Sequence, residues 1–160
     1  MSMMSVGTNL LGYNNKNIDK KINSVVKKGN MSSLNCIEEV LLAEKLIDMH
    51  KWSDMAKFAR TGAEANCIGL RAARLATGKE KIVICGYHGW HDWYLAANIN
   101  NKKNLNNHLF KNLQIEGVPK NLKNFIYSFE YNNLKKLENI LKLDNNIAAI
   151  IMEVKRDINP

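Results

Sequence analysis

Apolar positions recur at helical spacing through the first fifty residues. Ile18, Ile22, Val25 and Val26 line one face of a segment that Asn17 can cap and Gly29 can end. Asn30 to Ser33 read as a polar turn. Asn35 followed by Glu38 has capping-box spacing, and the helix it opens, CIEEVLLAEKLIDMH, carries Ile37, Val40, Leu41, Leu42 and Leu46. Met55 to Ala59, MAKFA, is an apolar run short enough for a strand. Glu64 to Thr77 is the clearest helix. Its apolar face mixes Ile68, Leu70 and Leu75 with Ala72, Ala73 and Ala76, which suits close packing on a sheet, and Gly78 stops it. Lys81 to Cys85, KIVIC, reads as a buried strand. Strand, helix and strand at this spacing predict a βαβ unit and a parallel sheet.

Beyond the strand, Asn98 to Asn107 is rich in Asn and Lys and reads as a mobile or inserted loop. Asn124 to Ser128 predicts a strand, Leu134, Leu137, Ile140 and Leu141 an amphipathic helix, and Ile147 to Val154 another buried strand. The final RDINP reads as a loop in mid-course. The fold class is α/β, helices alternating with the strands of a mostly parallel sheet.

At 160 residues and 46% hydrophobic, the chain has the size of one ordinary domain with a real core. Its net charge of +8 invites a nucleic-acid reading. The cations are mostly lysines scattered over helix faces and loops, so a solvated surface is the preferred explanation. Cys36, Cys67 and Cys85 lack metal-ligand spacing and lie in apolar patterns, which points to buried thiols in a reducing, cytoplasmic setting. No signal peptide or membrane span is read.

Two stretches carry candidate chemistry. In ARTGAEAN, Thr61 can cap the helix and Glu64 can complete a capping box. Gly62 and Ala63 follow directly, where first-turn N–H groups and the helix dipole favour an anion. A plain cap and a phosphate site both fit; Walker and dinucleotide glycine patterns are absent. The second stretch, Cys85-Gly86-Tyr87-His88-Gly89-Trp90-His91-Asp92-Trp93, leaves a strand at its carboxyl end, where α/β sheets bind ligands. Tyr87 can offer a face to a planar ring, whereas Trp90 and Trp93 read as packing residues. His88 and His91 have no Cys, Asp or Glu partner to complete a metal site.

Together these stretches resemble the class III, fold-type I enzymes that use pyridoxal 5'-phosphate (PLP). The family pattern [ST]-G-[TSA]-E-A is met by Thr61-Gly62-Ala63-Glu64-Ala65, its helix ending in A-R-x-x-T-G by Leu70 to Gly78, and its Y-H-G by Tyr87-His88-Gly89. Leu11-Gly12-Tyr13 and Glu39 to Leu46 resemble the upstream L-G-[HY] turn and E-x-x-L-A-E-x-L helix, and IAAIIMEV resembles A-A-[IV]-I-x-E-P. The resemblance covers nearly the whole chain. Within the family it is strongest to the glutamate-1-semialdehyde 2,1-aminomutases and related aminotransferases.

The resemblance implies that Gly62 and Ala63 bind the cofactor phosphate through backbone N–H groups. Thr61 can supply the hydroxyl that Ala63 lacks where many members have Thr or Ser. It assigns Tyr87 to the pyridine ring, with His88 beside it, and places Glu153 at the cofactor, although Val154 stands where Pro is usual. It implies residues 1–50 as a helical segment leading into the large domain and 51–160 as part of that PLP-binding domain. The lysine that binds the cofactor covalently, and the aspartate that holds its ring nitrogen, are expected outside these 160 residues; no catalytic residue is assigned within them. The implied activity moves an amino group between small amino and keto substrates in a homodimer, without nucleic acid or membrane. Trp90-His91-Asp92-Trp93 follows the Y-H-G where many aminomutases have H-A-D, which leaves open an aminotransferase for another amino acid or a nucleotide-linked sugar. A noncatalytic remnant is the remaining alternative.

Overall fold

The structure is a computed structural model that describes residues 7–29, 33–108 and 110–154. The chain divides into two units, one through Lys57 and one from Phe58 onward. In the first, α1 (Lys16–Val26) and α2 (Ile37–Met49) form at the predicted apolar repeats. Their caps differ from expectation. Asn15, one turn-residue pair earlier than Asn17, caps α1: its Oδ1 accepts from the N–H groups of Asn17 and Ile18. Cys36 occupies the cap position of α2 with no side-chain bond, so Asn35 and Glu38 form no capping box there. Part of the Asn30–Ser33 turn lies outside the described residues.

The second unit is built on β1 (Lys81–Cys85), β2 (Ile126–Ser128) and β3 (Ile147–Met152), parallel, in the order β2-β1-β3. β1 is central, and its side chains alternate between two cores. Ile82 and Ile84 join Leu70, Tyr94, Leu95, Leu105 and Ile126, with Ala148, Ala149 and Ile151 alongside. Val83 and Cys85 join Phe129, with Leu137 and Ile140 alongside. Leu70 thus brings α3 (Gly62–Thr77) onto one face, while Leu137 and Ile140 bring α5 (Leu134–Leu143) onto the other. A strand covered on both faces needs apolar residues at consecutive positions, which KIVIC provides. Thr77 ends α3 as predicted, with Gly78 left-handed at φ 67°.

MAKFA is not a strand. Residues 55–59 run without ladder bonds, and Met55 is 87% exposed. The sheet ends at β2 and β3, and the run pairs with the outer edge of neither. The parallel crossover observed is β2-α5-β3, not one opened by MAKFA. The Asn- and Lys-rich segment is also not a loose excursion. Asn98, Leu105 and His108 are buried, following α4 (Asp92–Leu95) and a 3-10 turn at Ala96–Asn98. Asn98 accepts from the Leu105 N–H and donates to the Leu113 carbonyl, and Asn104 donates to the Ala97 carbonyl. Short amides placed inside a loop can satisfy its buried backbone, so a polar composition here builds order. The predicted strand at 124–128 is shorter by two residues, and the one at 147–154 also by two. RDINP lies outside the described residues.

Candidate functional site

The carboxyl end of β1 leads directly into Gly86, Tyr87, His88 and Gly89. The amino end of α3 stands beside this turn. A Cβ at Gly89 would meet the Ala63 Cβ at 2.5 Å, so only glycine lets the turn lie this close to the helix. Asn66, one turn into α3, donates from Nδ2 to the His88 carbonyl at 2.9 Å. On the neighbouring strand Glu153 follows β3, and its Oε2 accepts from the Tyr87 N–H at 3.2 Å. Tyr131, just beyond β2, donates to the Glu153 carbonyl at 2.8 Å. The exits of all three strands and the start of α3 are therefore tied together.

Thr61 is the observed cap of α3. Its Oγ1 accepts from the Glu64 N–H at 3.2 Å, while the Glu64 carboxylate reaches back to the Arg60 N–H at 2.8 Å. The capping box is present with its return bond one residue earlier than the usual pattern. Among the described residues, no hydrogen bond engages the N–H groups of Gly62 or Ala63. These are the orphan donors that every helix start presents. A Cβ at Gly62 would meet nothing within 4 Å, so this position opens onto free space.

Tyr87 is half-buried and packs edge-to-face with Tyr94 and Phe110, at centroid distances of 5.5 and 5.3 Å. His88 is buried and turned inward, its Nε2 donating to the Cys85 carbonyl at 2.9 Å. Burial holds its imidazole below the ordinary value, against smaller opposing effects from the Cys85 carbonyl and Glu153. The histidine thus supports the turn from beneath, whereas Tyr87 remains partly open. Trp93 packs as expected and donates its indole N–H to Cys67 Sγ. Trp90 does not: it is 70% exposed. Cys85 is buried, but Cys36 and Cys67 are only half-buried. No group of three or more His, Cys, Asp or Glu residues that could hold a metal occurs among the described residues.

A cleft of about 590 Å³ flanks α3, lined by residues that include Arg60, Glu64, Cys67 and His91. Gly62, Ala63, Tyr87 and Glu153 do not line it. Sequence reasoning missed Asn66, Tyr131 and His108 as parts of the turn's support. Their partners lie 22 residues away in the chain, and nothing local signals them.

A parallel sheet whose strand exits meet a glycine-led helix start defines an α/β protein with its candidate site at the carboxyl edge, where open α/β sheets carry their ligands. The class can be stated more closely: the chain matches the Aminotransferase class-III family over residues 2–156 and belongs to that family. It is 34% identical over 152 residues to a 3-aminobutyryl-CoA aminotransferase of Cloacimonas acidaminovorans, covering 94% of this chain and 33% of that protein. It is 32% identical over 155 residues to a glutamate-1-semialdehyde 2,1-aminomutase of Sulfolobus acidocaldarius, covering 94% and 35%. Among solved structures, a transaminase with PLP bound superimposes with a TM-score of 0.76 at 22% identity, over 94% of this chain and 35% of that one. An omega-transaminase from Sphaerobacter thermophilus gives 0.74 at 19% identity, over 89% and 33%. These likenesses establish the fold as that of the PLP-dependent fold-type I transaminases. The chain spans about a third of the length of the curated relatives it matches.

Proposed function

We propose that this chain supplies the phosphate- and ring-binding part of a PLP-dependent enzyme that moves an amino group, most like glutamate-1-semialdehyde 2,1-aminomutase. The observation that carries this reading is the pair of unengaged N–H groups at Gly62 and Ala63, beside a turn that presents Tyr87. The residues suit the cofactor. The two N–H groups and the positive end of α3 would hold its phosphate. Gly62 leaves the space such a group requires. Thr61 Oγ1 accepts from Glu64, and its hydroxyl proton remains available to a phosphate oxygen. Tyr87 would flank the ring. When bound, PLP supplies an electron sink at the substrate carbon. Glu64, Asn66, His88 and Glu153 serve the scaffold: each is occupied with a backbone group of the turn or of the helix start.

The substrates are small amino and keto compounds, and the enzyme acts as a cytoplasmic homodimer without nucleic acid or membrane. No helix among the described residues is long and apolar enough to cross a membrane. An aminotransferase working between two substrates is the second reading, favoured by Trp90-His91-Asp92-Trp93 after the Y-H-G.

The test is PLP binding by the natural protein that carries this chain, followed by absorbance and calorimetry, for wild type and Gly62→Glu. An acidic residue in a helix's first turn does not harm the helix. At Gly62 it would place negative charge where the phosphate binds. The expected result is a melting temperature close to wild type with PLP affinity reduced at least about tenfold, the equivalent of ~1.4 kcal/mol. Equal affinity in the two proteins would remove the phosphate from this helix. No binding by wild type would favour a noncatalytic remnant.

A further inference from the structure

The peptide plane between Gly86 and Tyr87 is held at both ends. On one side, the Gly86 carbonyl accepts from His108 Nδ1 at 2.6 Å and from the Tyr94 hydroxyl at 3.3 Å. On the other, the Tyr87 N–H donates to Glu153 Oε2. Two residues on, the His88 carbonyl accepts from Asn66. Gly86 itself has φ 91°, and a Cβ there would run into the Glu153 carboxylate. The turn can therefore adopt this path only with glycine at 86 and with Glu153 folded across it.

We propose that Glu153 and Asn66 are positioning residues that fix the Tyr87 ring relative to the start of α3 by clamping the backbone on either side of it. This rests on the reading of the site given above. It reassigns Glu153 from contact with the cofactor to contact with the turn that presents Tyr87. The physical logic is that a half-buried aromatic ring is only as well placed as its own backbone. A peptide plane bonded at both its C=O and its N–H loses its freedom to rotate. The clamp also joins separate elements: Glu153 follows β3, Asn66 belongs to α3, and His108 comes from the segment after α4. Tyr131 steadies Glu153 by donating to its carbonyl and lying 3.4 Å from its carboxylate.

The test uses the natural protein that carries this chain, without cofactor and then with PLP. Hydrogen exchange of the peptide spanning Gly86 to Gly89 is measured by mass spectrometry for wild type, Glu153→Gln, Glu153→Ala and Asn66→Ala. Glutamine keeps an acceptor oxygen in place and alanine does not. Without cofactor, exchange of this peptide is expected to quicken at least about tenfold in Glu153→Ala and to stay near wild type in Glu153→Gln. Asn66→Ala frees the carbonyl side and is expected to quicken it less. PLP affinity should fall in the same order. Unchanged exchange in both alanine variants would overturn the clamp, whatever the cofactor affinity. Glutamine and alanine variants that lose PLP equally, with exchange unaltered, would instead put the Glu153 charge on the cofactor. Because exchange is read without PLP, a protein that never binds PLP could still confirm the clamp while defeating the functional reading. Asn66→Ala, at a half-buried position in the second turn of α3, gives a second reading should Glu153→Ala fail to fold.

Discussion

Gly86 shows how narrowly a single residue can be constrained. Its φ of 91° lies where side chains are strained, and its missing Cβ leaves the space that Glu153 fills. Gly86→Ala is therefore expected to displace the Tyr87 turn and to abolish PLP binding, while the far-ultraviolet circular dichroism stays nearly native. Thr61 works on a smaller scale. Its hydroxyl satisfies one orphan N–H of α3, so Thr61→Ala should cost about 1 kcal/mol in urea unfolding, the usual worth of such a cap. His88 adds a dependence on pH. Burial lowers its imidazole below the ordinary 6.5, so the folded chain prefers it neutral. Its contribution is complete above that value and declines as pH falls from there toward the depressed one.

Among the elements, β1 carries most of the burden. Ile84 is wholly buried within it, and Ile84→Ala is expected to cost about 2–5 kcal/mol, seen as a lower denaturant midpoint. At the amino end of the strand, Lys81 Nζ lies 2.5 Å from Asp144 Oδ2, which also accepts from the Tyr127 hydroxyl at 2.7 Å. These contacts join β1, β2 and the end of α5 at the edge of the sheet opposite the candidate site. The Lys81 ammonium, then Tyr127 and the Asn146 N–H, hold the Asp144 carboxyl at about 2, against 3.8 ordinarily. Its bond to Asp144 raises Lys81 above 10.5. The stabilisation from Asp144 is present above pH 3.8 and is lost as pH falls toward 2. That from Lys81 is present below pH 10.5 and is lost as pH rises through the raised value. Urea midpoints across the acid range should fall less steeply in Asp144→Asn than in wild type, and salt should soften the difference.

Taken whole, the described residues expose a great deal of apolar surface. Leu10, Leu11, Leu34, Ile37 and Met49 are each more than 60% exposed, and neither α1 nor α2 has a fully buried residue. Surfaces of this kind call for further protein to cover them. The 160-residue chain expressed alone is therefore expected to bind a hydrophobic dye strongly and to sediment as aggregate. A sharp, cooperative melt of a monomer would contradict that.

Local pattern by itself determined a good deal. The bounds of β1, the end of α3 at Thr77 and the Thr61 cap were legible because each depends on contacts within four residues along the chain, or on an apolar run that can only be buried. The small residues after Thr61 likewise suggested Gly62 and Ala63 as a candidate anion site, and Gly62 does open onto free space. Tertiary structure decided the rest. MAKFA is apolar enough for a strand, but a strand is made by pairing, and the fold brings this run to the outer edge of neither β2 nor β3. Asn98 and Asn104 look like loop residues until their partners close around them. The resemblance placed Glu153 at the cofactor. Only the approach of Tyr87, 66 residues earlier in the chain, puts its carboxylate on a backbone N–H. Local propensity is set by near neighbours along the chain, whereas strand pairing and buried polar partnerships depend on which distant segments the fold brings within reach.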